Sequence, residues 1–276
     1  MIKLQTVINR FANSFFGKFL MNIFYKIYEF LRYRRSLYEH SESDKKLKIL
    51  LGDLTVRDGF MKGLKYPEFK SFGSSIFPKL TGTYENELHQ TFETFGEKNY
   101  SCIVDIGCAE GYYAVGLASH FKNANIFAFD IDENAQKLCK EMSKLNKVED
   151  RVFVRQECTW ELLRELVVHK KSLIISDCEG FERHFFVKQM INDLVNCDLI
   201  IELHPMNEKD VKNYLQELFK ETHSISYISS YDDKRKMFEL GDQYKELSDL
   251  DKLKLVQEGR SFTMDWLIAK SKYYQC

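Results

Sequence analysis

The sequence predicts an α/β protein with a doubly wound, mostly parallel sheet, on three observations. From residue 101 onward, short apolar runs rich in β-branched residues alternate with longer helical stretches. A turn bracketed by Gly107 and Gly111 follows the first run and opens a helix. The second run ends in two acidic residues, Asp130 and Asp132, before another helix begins. Such alternation implies parallel pairing through right-handed crossovers, a Rossmann-like sheet.

Taken in order, strands are expected near 101–106, 125–130, 151–156, 172–177 and 197–203, with helices between them. A helix over 207–220 precedes a strand near 223–229, charged helical sequence fills 231–259, and 262–269 supplies a final strand. Ahead of this core, Glu85 to Gly96 reads as a helix. Residues 41–66 read as a charged helix with a turn near Gly59 to Gly63, and Pro67 to Gly82 as an irregular linker or substrate-side loop. The division that follows is an N-terminal helical extension over 1–82 and a Rossmann-like domain over 83–276.

Residues 1–35 carry apolar side chains at helical spacing, and seven basic residues there oppose only Glu29. Lys18, Lys26 and Glu29 interrupt every window long enough to cross a bilayer. The helix is expected to pack on its own chain or on a second copy, with peripheral contact to an anionic membrane as the alternative. No small-residue cleavage site follows an uninterrupted apolar core, so no signal peptide is expected.

Of the 276 residues, 44% are hydrophobic and 29% charged, the balance of a protein with a proper core. A net charge of −1 offers no global attraction to nucleic acid, and no nucleic-acid partner is expected. Seven cysteines without paired metal-type spacing read as reduced thiols and suggest a cytoplasmic location, membrane-peripheral if residues 1–35 meet lipid.

The segment Ile103-Val-Asp-Ile-Gly-Cys-Ala-Glu-Gly-Tyr-Tyr-Ala-Val-Gly-Leu-Ala118 carries the first chemical signal. Gly107 and Gly111 remove side chains where a ligand must approach the backbone, and the new helix aims its N-terminal amides there. Asp105 adds a negative charge beside that space. The position between the glycines that dinucleotide sites fill with glycine is Ala109, so a dinucleotide fingerprint is absent. Asp130 lies 25 positions after Asp105, near the spacing at which a carboxylate grips a ribose diol, while Asp132 suits a helix cap. Together these predict a nucleoside-containing ligand with both a carboxylate and a cation, which describes S-adenosylmethionine.

At these motifs the chain resembles the class I S-adenosylmethionine-dependent methyltransferases. It is more specifically similar to the FkbM group in Ser172-Leu-Ile-Ile-Ser-Asp-Cys-Glu-Gly-Phe-Glu182, in Ile200-Ile-Glu-Leu-His-Pro205 and in Gly82-Thr-Tyr-Glu85. The resemblance covers about the last two-thirds of the chain. It implies a closing antiparallel C-terminal hairpin, a sugar-hydroxyl acceptor on a glycan, glycolipid or related metabolite, and Tyr84 and Glu85 closing over the methionine end of the cofactor. Cys108 lies inside the glycine turn, and one of Tyr112 and Tyr113 is expected to line the pocket, here taken as Tyr113. Glu157, after the third strand, is the candidate for the adenine edge, with plain solvent exposure as its competing role.

Methyl transfer to a hydroxyl needs in-line alignment and removal of a proton. Asp177, Glu179, Glu202 and His204 fall at or just past neighbouring strand ends, where open α/β sheets bind ligands. His204 is the preferred base because an ordinary imidazole titrates near working pH and acidic neighbours would raise its basicity. A histidine hydrogen-bonded beside Pro205 at a strand end is its competing role. Asp177 is the alternative base or an orienting residue, with capping of the next helix as its competing role. Glu179 and Glu202 either hold a substrate hydroxyl or pair with Arg183. Carboxylate and imidazole would suit Mg²⁺ or Mn²⁺, but nothing in the spacing demands an ion and none is assigned. The reading is an O-methyltransferase. The alternative is a non-catalytic cofactor-binding or assembly subunit of the same fold.

Overall fold

The computed structural model describes residues 47, 49–204, 208–260 and 263–273. The basic amphipathic stretch over 1–35 lies outside the described residues. Two compact units divide the chain, Met1–Asp53 and Leu54–Cys276. In the first, residues 49–51 are helical.

The second unit opens with a turn rather than the helix expected through residue 66. Thr55 and Lys65 form an antiparallel bridge, and the Val56 amide donates to the Leu64 carbonyl at 2.8 Å. Gly59 and Gly63 both have positive φ, which bends the chain back and ends any helix. The stretch expected as a linker over 67–82 contains a short helix α1, Ile76–Thr81, all six residues of which are buried. A 3₁₀ turn, Asn86–Leu88, then leads into α2, His89–Gly96, close to the expected helix.

The alternating core follows: β1 Cys102–Ile106, α3 Tyr112–His120, β2 Asn125–Phe129, α4 Glu133–Leu145, β3 Val152–Arg155, α5 Trp160–Val167, β4 Ser172–Ser176, α6 Glu182–Phe185, α7 Ile191–Leu194, β5 Cys197–Leu203, α8 Glu208–Phe219, β6 His223–Ser229, α9 Asp233–Phe238, α10 Asp249–Val256 and β7 Asp265–Ser271. The sheet order is β3-β2-β1-β4-β5-β7-β6. Strands β1 to β5 pair in parallel, and β7 inserts antiparallel between β5 and β6. Each predicted strand is present, the last shifted to 265–271. The doubly wound α/β sheet with its antiparallel C-terminal pair is therefore the fold.

Strands β1, β4 and β5 are buried along their whole length, as continuous apolar runs require of a sheet covered on both faces. One buried cluster joins Val104, Ile174, Leu199, Leu163, Phe186 and Leu215, on one side of the sheet. The strand order reverses between β1 and β4, and ligand crevices of open sheets form outside the carboxyl ends at such a reversal. Among the described residues no helix is long and apolar enough to cross a membrane.

Candidate active site

The loop after β1 is stitched to the loops on either side of it. Gly107 and Cys108 donate their amides to the Phe129 carbonyl at 2.8 and 2.9 Å, and the Asp177 amide donates to the Ile106 carbonyl at 2.9 Å. Gly107 has φ +85°, and a Cβ there would lie 1.8 Å from the Asp177 carbonyl oxygen. At Gly111, with φ +100°, a Cβ would meet Cys139 Sγ at 2.7 Å. The chain's own packing therefore also demands both glycines, a reason the sequence did not show. Gly111 is also the N-cap of α3 and leaves its first turn without a side-chain cap. Cys108 is buried and sits beside Cys139, which raises its thiol pKa together with burial.

Asp130, at the end of β2, is half-buried. One carboxylate oxygen accepts from the Ala109 amide and the other from the Asp132 amide, both at 2.8 Å. Each oxygen keeps a further lone pair, so the carboxylate can still receive a diol. Next to it in the chain, Ile131 is 79% exposed, an apolar side chain that the sequence did not single out. Asp132 caps α4 through the Asn134 and Ala135 amides, as expected. Glu157 is exposed just beyond β3.

Asp105 is 2% exposed, and its Oδ2 has no hydrogen-bond partner. Burial pushes its carboxyl up to about 7, against the pull of the Ala114 amide. The folded pKa exceeds the ordinary 3.8, so the native state binds the extra proton between these values. Stability from this group is therefore full below about pH 4 and lost as pH rises through about 7. Asp105→Asn removes that charge penalty. In urea unfolding the ligand-free variant should gain about 1–3 kcal/mol over wild type at pH 8 and nothing at pH 4. A gain of equal size at both values would show that charge is not the cause.

Glu110, inside the glycine turn, is wholly buried and was not foreseen as a site residue. It pairs with buried Lys79 and accepts from Tyr66 Oη, Ser71 Oγ and the Phe72 amide. The segment 66–79 is thereby fixed to the turn. Tyr84 packs edge-on against Tyr112, and Lys79 Nζ lies 4.7 Å above the Tyr84 ring. Tyr113 is the more exposed tyrosine of the pair and donates to Glu85 Oε2.

Glu85 is also gripped by Arg260, another residue the sequence did not flag. Arg260 spans Glu85, Glu202 and Glu258, the last at 2.8 Å. The expected Glu202–Arg183 pairing is therefore corrected: Arg260 reaches Glu202, and Arg183 stacks over the Tyr214 ring.

The four strand-end residues Asp177, Glu179, Glu202 and His204 do converge. His204 Nε2 lies 3.5 Å from each of Asp177 Oδ1, Glu179 Oε2 and Glu202 Oε2. Its Nδ1 meets Glu182 Oε1 at 2.9 Å, and Glu182 is wholly buried. Burial alone would lower the imidazole pKa, but hydrogen bonding to Glu179 and Glu182 and the charges of Glu202 and Asp177 push it up to about 11. The acidic neighbours raise its basicity in the expected direction, and far enough that the ring holds its proton at neutral pH. Asp177 does not cap α6, whose N-cap is Phe181. Burial and Glu202 raise the Asp177 carboxyl well above its ordinary range. Glu85, Ala109 and Glu179 are all left-handed without being glycine, a conformation that costs of order 1–3 kcal/mol and gathers at functional sites.

A family described as ribosomal protein L11 methyltransferase (PrmA) matches residues 87–176, about a third of the chain. No curated protein sequence matches. Among solved structures, the chain is similar to the tRNA methyltransferase TrmK of B. subtilis, with 13% identity and a TM-score of 0.41, covering 65% of this chain and 64% of that one. It is similar to the METTL16 MTase domain at 14% identity and a TM-score of 0.43, with coverage of 69% and 67%. It is likewise similar to the SAH-bound Podospora anserina methyltransferase PaMTH1 at 14% identity and a TM-score of 0.44, with coverage of 70% and 79%. The family match supports an S-adenosylmethionine-dependent methyltransferase enzyme and implies that donor as cofactor.

Proposed function

We propose that this chain transfers a methyl group from S-adenosylmethionine to a hydroxyl, that of a sugar in a glycan, glycolipid or related metabolite. One observation carries the reading: the reversal between β1 and β4 puts the glycine turn in steric contact with Asp177, at the edge of a carboxylate–imidazole cluster. A donor held at the turn would thus lie next to groups able to handle an acceptor proton.

The residues present fit the cofactor. The uncapped first turn of α3 suits its carboxylate, Asp130 its ribose diol, and exposed Ile131 the face of its adenine. When bound, the sulfonium supplies the methyl group. Glu85 and Tyr113 border the methionine end, fixed by Arg260. Asp177 is the proposed base, because a carboxylate with a raised pKa is a stronger base than an exposed one. His204, held protonated, orients it, and Glu179 and Glu202 accept from acceptor hydroxyls. Several carboxylates together favour a polyol over a phosphate-rich acceptor, since like charges repel at short range. The choice of a sugar rests on the resemblance to the FkbM group.

Calorimetry on the full chain tests the cofactor. S-adenosylmethionine and S-adenosylhomocysteine should bind and NAD should not; the reverse overturns the reading. Asp130→Asn should weaken S-adenosylhomocysteine by about 1.5–3 kcal/mol, the value of a hydrogen bond to a charged group. Transfer of a tritiated methyl group to sugars and glycolipids, with tRNA and ribosomal protein as further arms, tests the acceptor. Label appearing only in RNA or protein would overturn the sugar assignment.

A further inference from the structure

We propose that Asp177, Glu179 and His204 form a binding site for a divalent cation with hard-ligand preference, Mg²⁺ or Mn²⁺. One donor atom from each of the three lies within 4.8 Å of the others. Around an octahedral ion with bonds of about 2.1 Å, neighbouring donors stand about 3 Å apart and opposite ones about 4.2 Å, so the three need little movement to close on an ion. Oxygen donors with one imidazole and no thiolate match that class of metal.

Two further observations point to an ion rather than to a merely acidic surface. Asp177 Oδ1, 3.5 Å from His204 Nε2, is itself shielded from solvent although the side chain is 31% exposed. It accepts no hydrogen bond of good geometry, so the oxygen facing the cluster is held by the ion pair alone. The imidazole is also oriented as a ligand would be. Its Nδ1 is fixed at 2.9 Å by Glu182, whose side chain is 0% exposed, so Nε2 is turned toward the carboxylates. A carboxylate behind a histidine sets its ring direction and the basicity of the ligating nitrogen. Glu202, 3% exposed, directs Oε2 at the same Nε2 from 3.5 Å while Arg260 holds Oε1. It stands close enough to take a water bound to the ion.

Binding of the ion exchanges the proton on Nε2 for the metal, and neutral His204 becomes a ligand. Positions left open on the ion would take the acceptor hydroxyl and make it more acidic. With Asp177, Glu179 and His204 engaged as ligands, the roles given them in the ion-free site pass to the ion, and Glu202 is the neighbouring carboxylate left to take the proton. That catalytic role rests on the methyl-transfer reading above; the site itself does not.

Mn²⁺ is the probe, titrated into the full chain and followed by calorimetry and electron paramagnetic resonance. Wild type should bind one ion per chain, with spin-echo modulation from a coordinated ¹⁴N. Glu179→Gln, at a side chain 70% exposed, should weaken binding roughly tenfold or more, and His204→Gln should abolish the nitrogen signal. Glu141→Gln, on the exposed face of α4, should change neither. Absence of saturable binding, absence of the ¹⁴N signal in wild type, or equal losses in Glu141→Gln would each overturn the site. S-adenosylhomocysteine binding is measured on the same samples. If it binds while Mn²⁺ does not, the site falls and the methyl-transfer reading stands; if Mn²⁺ alone binds, the reverse holds.

Discussion

Gly107→Ala is expected to lose about 2–5 kcal/mol of stability, from a left-handed backbone and an overpacked contact together. The same change should abolish S-adenosylhomocysteine binding. The carbonyl of Asp177 lies where the new methyl group must go, at 1.8 Å, and that oxygen belongs to a backbone hydrogen-bonded to β1. Neither side can yield without parting the glycine turn after β1 from the loop after β4. Gly96→Ala is the control, since a Cβ there meets nothing within 4 Å and the residue sits in α2. Urea unfolding and calorimetry on the two variants decide the matter. If Gly107→Ala stays within 1 kcal/mol of wild type, well below the loss argued above, the close contact carries no weight.

Arg260→Met is expected to cost about 3–5 kcal/mol at pH 7.5, the usual penalty for stranding buried carboxylates. Side chains of Glu85, Glu202 and Glu258 are 1%, 3% and 2% exposed, and all three lean on this guanidinium. Even with it in place, burial holds the Glu85 carboxyl at about 7. Without it the folded pKa of Glu85 rises further above its unfolded value, since the guanidinium is what pulls it down. Stability of the variant should then recover as pH falls, because the native state takes up protons that neutralise the group. A deficit that is independent of pH between 5 and 8 would point to lost packing by the arginine stem instead. Lys236, buried beside Glu258 and Glu87, limits the damage on one flank of the network.

Several site residues are legible in the amino-acid order alone. Asp105, Gly107, Gly111 and Asp130 lie within some 25 residues of one another, on a strand–turn–helix pattern whose geometry is local. Asp177, Glu179, Glu202 and His204 are legible as strand-end residues, and they do converge. Which charges meet is not legible. Arg260 stands 175 positions from Glu85 and 58 from Glu202, in a stretch of charged sequence where nothing marks one arginine as the partner of buried glutamates. Glu182 looks like one more acidic residue of a short motif; its complete burial, with Oε1 against Nδ1 of His204 22 positions away, is set by tertiary packing. The short helix Ile76–Thr81 escapes notice because Gly73, Ser74 and Pro78 read as breakers, while its stability comes from burial.

The amino-acid order by itself determined the strand succession, the parallel sheet with its closing antiparallel pair, the glycine turn and the carboxylate after β2. These depend on periodicity and on backbone conformations that only a few residues tolerate, so each is written within a short window. The protonation of His204, the sharing of Arg260 by three glutamates and the contact of Gly107 with Asp177 were decided only by the tertiary structure. Charge states depend on distance and burial, and both are set by which strands become neighbours across the whole chain.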